Sequence, residues 1–262
     1  MITKQFVFFL VCLWVGWQTL HADEFKIRMN APALTDPILE WQAPVITDDS
    51  ELQINNSGIL VQQVSKNGKK VNPSIGFRVL VPTTGNFHVQ LSLDCLELQP
   101  PKDGWGQGIV LKANVADSKK TVLTVGLASR PMIESNAFVA IETQSMKNPT
   151  YRWEPVSFRK GVISLERNKN IAICSMTQDG KTIFTHSMPV PVDDIAAFEV
   201  WCTRQDEDFN TNAKYLLEEI SLEGDSHRGL RPVNQGFTWQ FILNGILAGT
   251  IAAIGFKWYR QR

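Results

Sequence analysis

The sequence predicts an all-β body built as a two-sheet antiparallel jelly-roll sandwich, followed by one C-terminal transmembrane helix. Three observations carry this. Runs of residues alternate apolar and polar with the period of a half-buried strand. Turn signals separate those runs at short intervals, and no long amphipathic helix interrupts them. A final stretch of 20 residues, Phe237 to Phe256, contains no charge and matches the thickness of a bilayer core.

The first 22 residues have the layout of a secretory signal peptide. Lys4 supplies a positive charge, Phe6 to Trp17 is an almost unbroken apolar run, and Ala22 offers a small residue for cleavage before Asp23 and Glu24. An uncleaved membrane anchor is the alternative, but the apolar core is short for a spanning helix.

The body is then expected from 23 to 226 as one extracytoplasmic domain. From Asn86 to Gln99, Phe87, Val89, Leu91, Leu93 and Cys95 fall on one face, and His88, Gln90, Ser92 and Asp94 on the other. Similar runs occupy Gly58–Val64, Gly76–Val81, Ile109–Val115, Thr121–Ala128, Ala137–Thr143, Val162–Arg167, Ile171–Met176, Thr182–Ser187 and Phe198–Thr203. Asp179-Gly180 reads as a two-residue hairpin turn, because glycine accepts positive φ. Asn67-Gly68 is a second turn signal. The last segment, AKYLLEEISLEGD, is expected to be a strand with Leu216, Ile220 and Leu222 inward and Glu219 and Ser221 outward. Glu218 breaks that alternation.

Residues 227–236 read as a juxtamembrane linker, rich in Gly, Pro and polar side chains. The span 237–256 is bracketed by Trp239 and by Trp258 and Tyr259, at the depth where amphipathic rings prefer the headgroups. Lys257, Arg260 and Arg262 make 257–262 a basic tail that stays in the cytoplasm. The chain is therefore expected at the cell membrane as a single-pass protein with its body outside. Gly245 and Gly249 form a G-x-x-x-G, a spacing that lets two spans approach closely and also arises by chance.

Charge excludes some partners. Of the 26 Lys and Arg, four lie in the end segments, which hold none of the 26 Asp and Glu. The body is thus mildly acidic, and it shows no basic stripe, which argues against nucleic acid. Three cysteines remain in the body. Cys95, Cys174 and Cys202 sit in strand-like runs and read as small core residues, or as one disulfide and one free thiol.

The candidate chemistry is sparse. Gly104-Trp105-Gly106-Gln107-Gly108 is followed by a strand pattern and lacks a Lys-Ser/Thr pair, so it is no phosphate loop. It reads as a glycine turn joining two strands, with Trp105 either packed or exposed as a stacking platform. A glycosidase needs two acids facing one cleft. Asp94 and Glu97 face opposite sides, and Glu219 and Glu223 share a face without a partner motif. Both pairs read as solvated strand faces, so no catalytic residue is assigned. No cofactor is expected, with calcium as the alternative. The loop Asp206-Glu207-Asp208-Phe209-Asn210-Thr211-Asn212 alternates oxygen side chains as calcium loops do; it lacks the glycine and glutamate of an EF-hand, but a sandwich can still hold calcium in such a loop.

Taken in order, GNFHVQLSLDCLEL, GWGQGIVLKANV, GVISLERNKNIAICSM, DGKTIFTH, AAFEVWCTRQ and YLLEEISLEGD resemble the strand succession of concanavalin A-like lectin/glucanase sandwiches. The likeness is nearest to uncharacterised sandwich domains of secreted and membrane-anchored planctomycete proteins. It covers about residues 55 to 225. It implies a jelly roll whose relatives bind carbohydrate, hydrolyse glycans or mediate contacts. The Glu-x-Asp-x-Glu strand of the glucanase branch is missing, so the resemblance implies binding sooner than hydrolysis. The expectation is a non-catalytic module for a glycan or an envelope protein, with Trp105, Asp206 and Asp208 as candidate ligand residues. A glycan-hydrolysing enzyme and a purely structural envelope protein are the alternatives.

Overall fold

The computed structural model describes residues 23–42, 52–63, 74–102, 106–131, 133–143, 150–205 and 212–227. These residues all fall in the first of the chain's two compact units, Met1–Arg228. The signal peptide, the Asn67-Gly68 turn, Trp105, the 206–210 loop, Gly245 and Gly249, the span and its flanking Trp239, Lys257, Trp258, Tyr259, Arg260 and Arg262 lie outside the described residues. Among the described residues no helix is long and apolar enough to cross a membrane.

The body is all β. In chain order the strands are β1 (Asp23–Arg28), β2 (Leu39–Gln42), β3 (Leu52–Asn55), β4 (Gly58–Gln63), β5 (Ser74–Val79), β6 (Thr83–Leu98), β7 (Gly106–Val115) and β8 (Val122–Arg130). Then follow β9 (Ile133–Glu142), β10 (Thr150–Pro155), β11 (Lys160–Asn168), β12 (Ile171–Gln178), β13 (Lys181–Pro189), β14 (Ile195–Gln205) and β15 (Ala213–His227). A short 3-10 turn, Ala31–Leu34, separates β1 from β2.

Pairing sorts the strands into two layers. The front layer runs β2-β5-β14-β7-β8-β9-β10. The back layer runs β13-β12-β11-β6-β15, and the far edge of β15 is shared by β4 and β1, with β3 outside β4. Ile195 of β14 pairs with Thr83 of β6 and links the layers. Every pairing is antiparallel, as the hairpin-rich sequence demands.

The core lies between the layers. Phe87, Val89, Leu91 and Leu93 of β6 meet Phe198, Val200 and Cys202 of β14 from the opposite side, all buried. Phe87 and Phe198 touch edge to face with centroids 5.1 Å apart. One cation is buried among these groups. Arg167 donates to the carbonyls of Gly85 and Asp193 and lies over the Phe87 ring. Its charge is thereby spread over main-chain acceptors, which is what makes burial tolerable.

Every alternating run named from sequence is a strand, with ends shifted by a few residues. Asp179 and Gly180 have φ of 51° and 71°, so the hairpin between Gln178 and Lys181 is the type that matches strand twist. The last strand corrects one expectation. Tyr215 and Leu217 are buried and Leu216 is not, while Ile220 and Leu222 face inward as expected. The register against β6 slips between Leu217 and Glu219. A bulge there inserts one extra residue, which lets Glu218 avoid the core and resets the alternation. The strand also runs one residue into the expected linker.

The glycine turn has a different role from a simple hairpin. β6 belongs to the back layer and β7 to the front, so the chain changes layers between Leu98 and Gly106. Gly106 has φ of 100°, and a Cβ there would lie 1.9 Å from the Ser129 carbonyl oxygen, so only glycine fits. All three body cysteines are buried and free. The disulfide alternative is therefore not what the fold adopts.

Candidate functional site

The outer face of the front sheet carries an aromatic row beside a row of paired charges. Register defines it. One row crosses the sheet as Gln42, Gly76, Trp201, Val110, Gly126, Phe138 and Trp153. The adjacent row is Glu40, Arg78, Glu199, Lys112, Thr124, Ala140 and Tyr151. At a strand spacing of about 4.8 Å, seven strands give each row a length of roughly 29 Å.

From Trp201 to Trp153 the first row is apolar although it faces away from the core. Val110, Ala128 and Phe138 form a second buried cluster, separate from the sandwich core, with Trp153 and Trp201 packed against it. Glycines make this geometry. A Cβ on Gly76 would lie 2.7 Å from the Trp201 ring, and one on Gly126 would lie 2.7 Å from the Phe138 ring. The two rings therefore rest on bare backbone, as aromatics do over strand glycines. Phe138 stacks on Trp153 with centroids 4.6 Å apart, and Tyr151 leans on Trp153 at 6.2 Å. The Arg130 guanidinium sits 4.7 Å over the Trp153 ring, a cation–π contact.

The second row is polar and its carboxylates are engaged. Glu199 Oε1 accepts from Arg78 Nε at 2.7 Å, and Oε2 accepts from the Trp201 indole N–H at 2.8 Å. Burial alone would raise the Glu199 carboxyl. The hydrogen bonds from Trp201 and Arg78, the Arg78 charge and a hydrogen bond from Asn114 outweigh it and hold Glu199 below the ordinary range. Arg78 also reaches Glu40 at 3.6 Å. Glu142 accepts from the Tyr151 hydroxyl at 3.1 Å, and burial together with that carboxylate raises the tyrosine pKa.

This arrangement can fix an aromatic platform. Glu199 pins the Trp201 indole from one side, and Arg78 pins Glu199. It is poorly arranged to deliver a proton, since Glu199 is held ionised and the nearby Glu40 is paired to the same guanidinium.

The carboxylates considered from sequence lie elsewhere. Glu219 pairs with Lys26 at 2.9 Å and Glu97 with Lys214 at 3.0 Å, both in the back layer. Asp94 lies on β6 of that layer, and Glu223 is exposed on β15. None faces the aromatic row. Trp105, Asp206 and Asp208 lie outside the described residues, but the strand ends that adjoin them, Gly106 and Gln205, are paired in the front sheet. Among the described residues no group of three or more His, Cys, Asp or Glu could hold a metal ion.

The residues missed from sequence are Trp201, Glu199, Arg78, Phe138 and Trp153. One signal was available. In FEVWC the inner positions Phe198, Val200 and Cys202 are apolar, which puts a glutamate and a tryptophan together on the other face.

The two layers, their strand succession and the antiparallel pairing define a jelly-roll sandwich of the concanavalin A-like fold, and solved structures agree. A winged bean acidic lectin complexed with methyl-α-D-galactose superposes with a TM-score of 0.52 at 10% identity, covering 78% of this chain and 98% of the lectin. The CBM2 module of the evolved Dit of Lactobacillus casei BL23 phage J-1 gives 0.53 at 7% identity, covering 78% and 97%. A transglycosylase in complex with NAG gives 0.50 at 9% identity, covering 79% and 86%. At such identities the likeness is one of fold. No family model and no curated protein matches the sequence.

Proposed function

We propose that this protein is a glycan-binding module, non-catalytic, held at the outer side of a cell membrane by its C-terminal apolar segment. The observation that supports binding is the aromatic row on the outer face of the front sheet, where Trp201 and Trp153 are fixed by a carboxylate and by ring stacking. Sugar rings present apolar C–H faces that pack on such indoles, and their hydroxyls find polar neighbours in the adjacent row. Rigid aromatics lose little conformational entropy on binding, which suits a solvent-facing ligand.

Binding is favoured over cleavage because glycoside hydrolysis needs one protonated acid and a second carboxylate at a set distance. Here Arg78 and the Trp201 indole hold the Glu199 carboxyl below its ordinary range, and Arg78 also pairs with Glu40. The compartment and the anchor rest on the two apolar ends of the sequence.

The full chain should bind oligosaccharides in titration calorimetry. Trp201→Ala should weaken that binding by about thirtyfold, the effect of losing an aromatic hot spot of about 2 kcal/mol. Glu223→Ala, on the back layer, should leave it unchanged. A folded chain that ignores a broad glycan panel, or a Trp201→Ala variant that binds as tightly as the parent, overturns the proposal.

A further inference from the structure

The polar side chains around the aromatic row are short of acceptors. Three carboxylates facing outward from the front sheet, Glu40, Glu199 and Glu142, already accept from a protein donor or pair with Arg78. Lys112 is different. It stands on the second row between Glu199 and Thr124, half-buried, one strand from Trp201. Among the described residues its ammonium has no ion pair.

An independent observation points the same way. Thr124, paired with Lys112 across β7 and β8, is 3% exposed and its hydroxyl has no partner. Asn136, next to Phe138 along β9 and outward-facing like it, is also 3% exposed, and its side-chain Nδ2 has no partner. A buried donor without an acceptor has lost its hydration with nothing in return. Three donors around one aromatic strip therefore lack what an anionic ligand group supplies.

We infer that the glycan taken by this face is acidic, carrying a carboxylate or sulfate that pairs with Lys112 while its ring packs on the tryptophans. The inference rests on the glycan-binding proposal above and adds the class of sugar. Lys112 makes the first contact, because Thr124 and Asn136 are covered in the free chain. Their donors gain partners only as the side chains around them adjust. Arg130, lying over Trp153, adds positive charge at the far end of the row. The carboxylates do not oppose an acidic ligand strongly, since Arg78 neutralises the nearest of them.

The test compares each neutral polysaccharide with its own charged derivatives. Dextran, xylan and galactan would be presented to the full chain neutral, carboxymethylated and sulfated, with polyglutamate as a polyanion without sugar. At least one carboxymethylated or sulfated form should bind roughly tenfold or more tightly than its neutral parent, the effect of one charge-assisted hydrogen bond. The better of the two derivatives identifies the group. Lys112→Gln should collapse the charged-to-neutral ratio, Lys112→Arg should retain it, and added salt should lower it. Equal binding of neutral and charged forms overturns the acidic assignment and leaves glycan binding intact. So does a ratio that survives Lys112→Gln. Polyglutamate binding as tightly as the charged glycans, or no glycan bound at all, overturns both.

Discussion

Replacing Glu199 with Gln tests whether one carboxylate organises the outer face. The side chain keeps its shape and one acceptor oxygen, but its other oxygen becomes an NH2 that opposes either Arg78 Nε or the Trp201 indole N–H. A hydrogen bond to a charged group contributes about 1.5–3 kcal/mol. Arg78 is 42% exposed, so screening reduces its share to about 1 kcal/mol or less. The indole bond lies deeper and accounts for most of the loss. Together they give a destabilisation of about 1.5–2.5 kcal/mol, or roughly 3–10 °C in Tm for a domain of this size. Thermal unfolding followed by circular dichroism reads it directly. The pH dependence supplies the sign. Because the folded carboxyl lies below its ordinary value of 4.5, its contribution is complete above that value and is lost as pH falls through the folded pKa. The gap between parent and Glu199→Gln should therefore be widest near neutrality and close in acid. A gap below about 0.5 kcal/mol, or one that stays constant down to about pH 3, would refute the role given to Glu199.

Two further outcomes are expected. Gly126→Ala should push Phe138 off the backbone and away from Trp153, costing about 1–3 kcal/mol of stability and weakening glycan binding; near-ultraviolet circular dichroism of the aromatic cluster and titration against the same glycan would check both. Burial pushes the Cys95 and Cys174 thiols up to about 12 and Cys202 higher still, so peptides containing them should stay unlabelled by iodoacetamide at pH 8 until the chain is unfolded, as mass spectrometry would show.

The strands legible in the sequence were those with one strongly apolar face. β6 alternates without fault through Leu93 and was plain. β1, β2, β3 and β10 are not among the runs that the sequence marks as strands. They are short and sit at or near sheet edges; β1 does alternate, with Phe25 and Ile27 buried and Lys26 and Arg28 exposed, but over six residues only, and β10 carries Arg152 and Glu154 and ends in a proline. The site was less legible than the fold for a related reason. Alternation says that Glu199 and Trp201 share a face, but not what stands beside them. Only the register across seven strands brings Val110, Phe138 and Trp153 into line with Trp201. Gly76 and Gly126 likewise read as weak points in strands until the neighbouring rings are placed over them. The bulge at Glu218 shows the complementary limit, since one extra residue moved Leu216 from the expected inner face to the outer one.

The pairing of β1 with β15 has a consequence for synthesis. Asp23 lies beside Gly224 and Arg28 beside Glu219, so the first strand to leave the ribosome has to wait for the last. β6, the spine of the back layer, also lacks its longest partner until residues 213–227 emerge. Contacts between such distant parts of a chain form slowly. A nascent chain halted before β15 would expose the bare edge of β6, with no strand to cover it, and the fold closes only when the final strand is laid down.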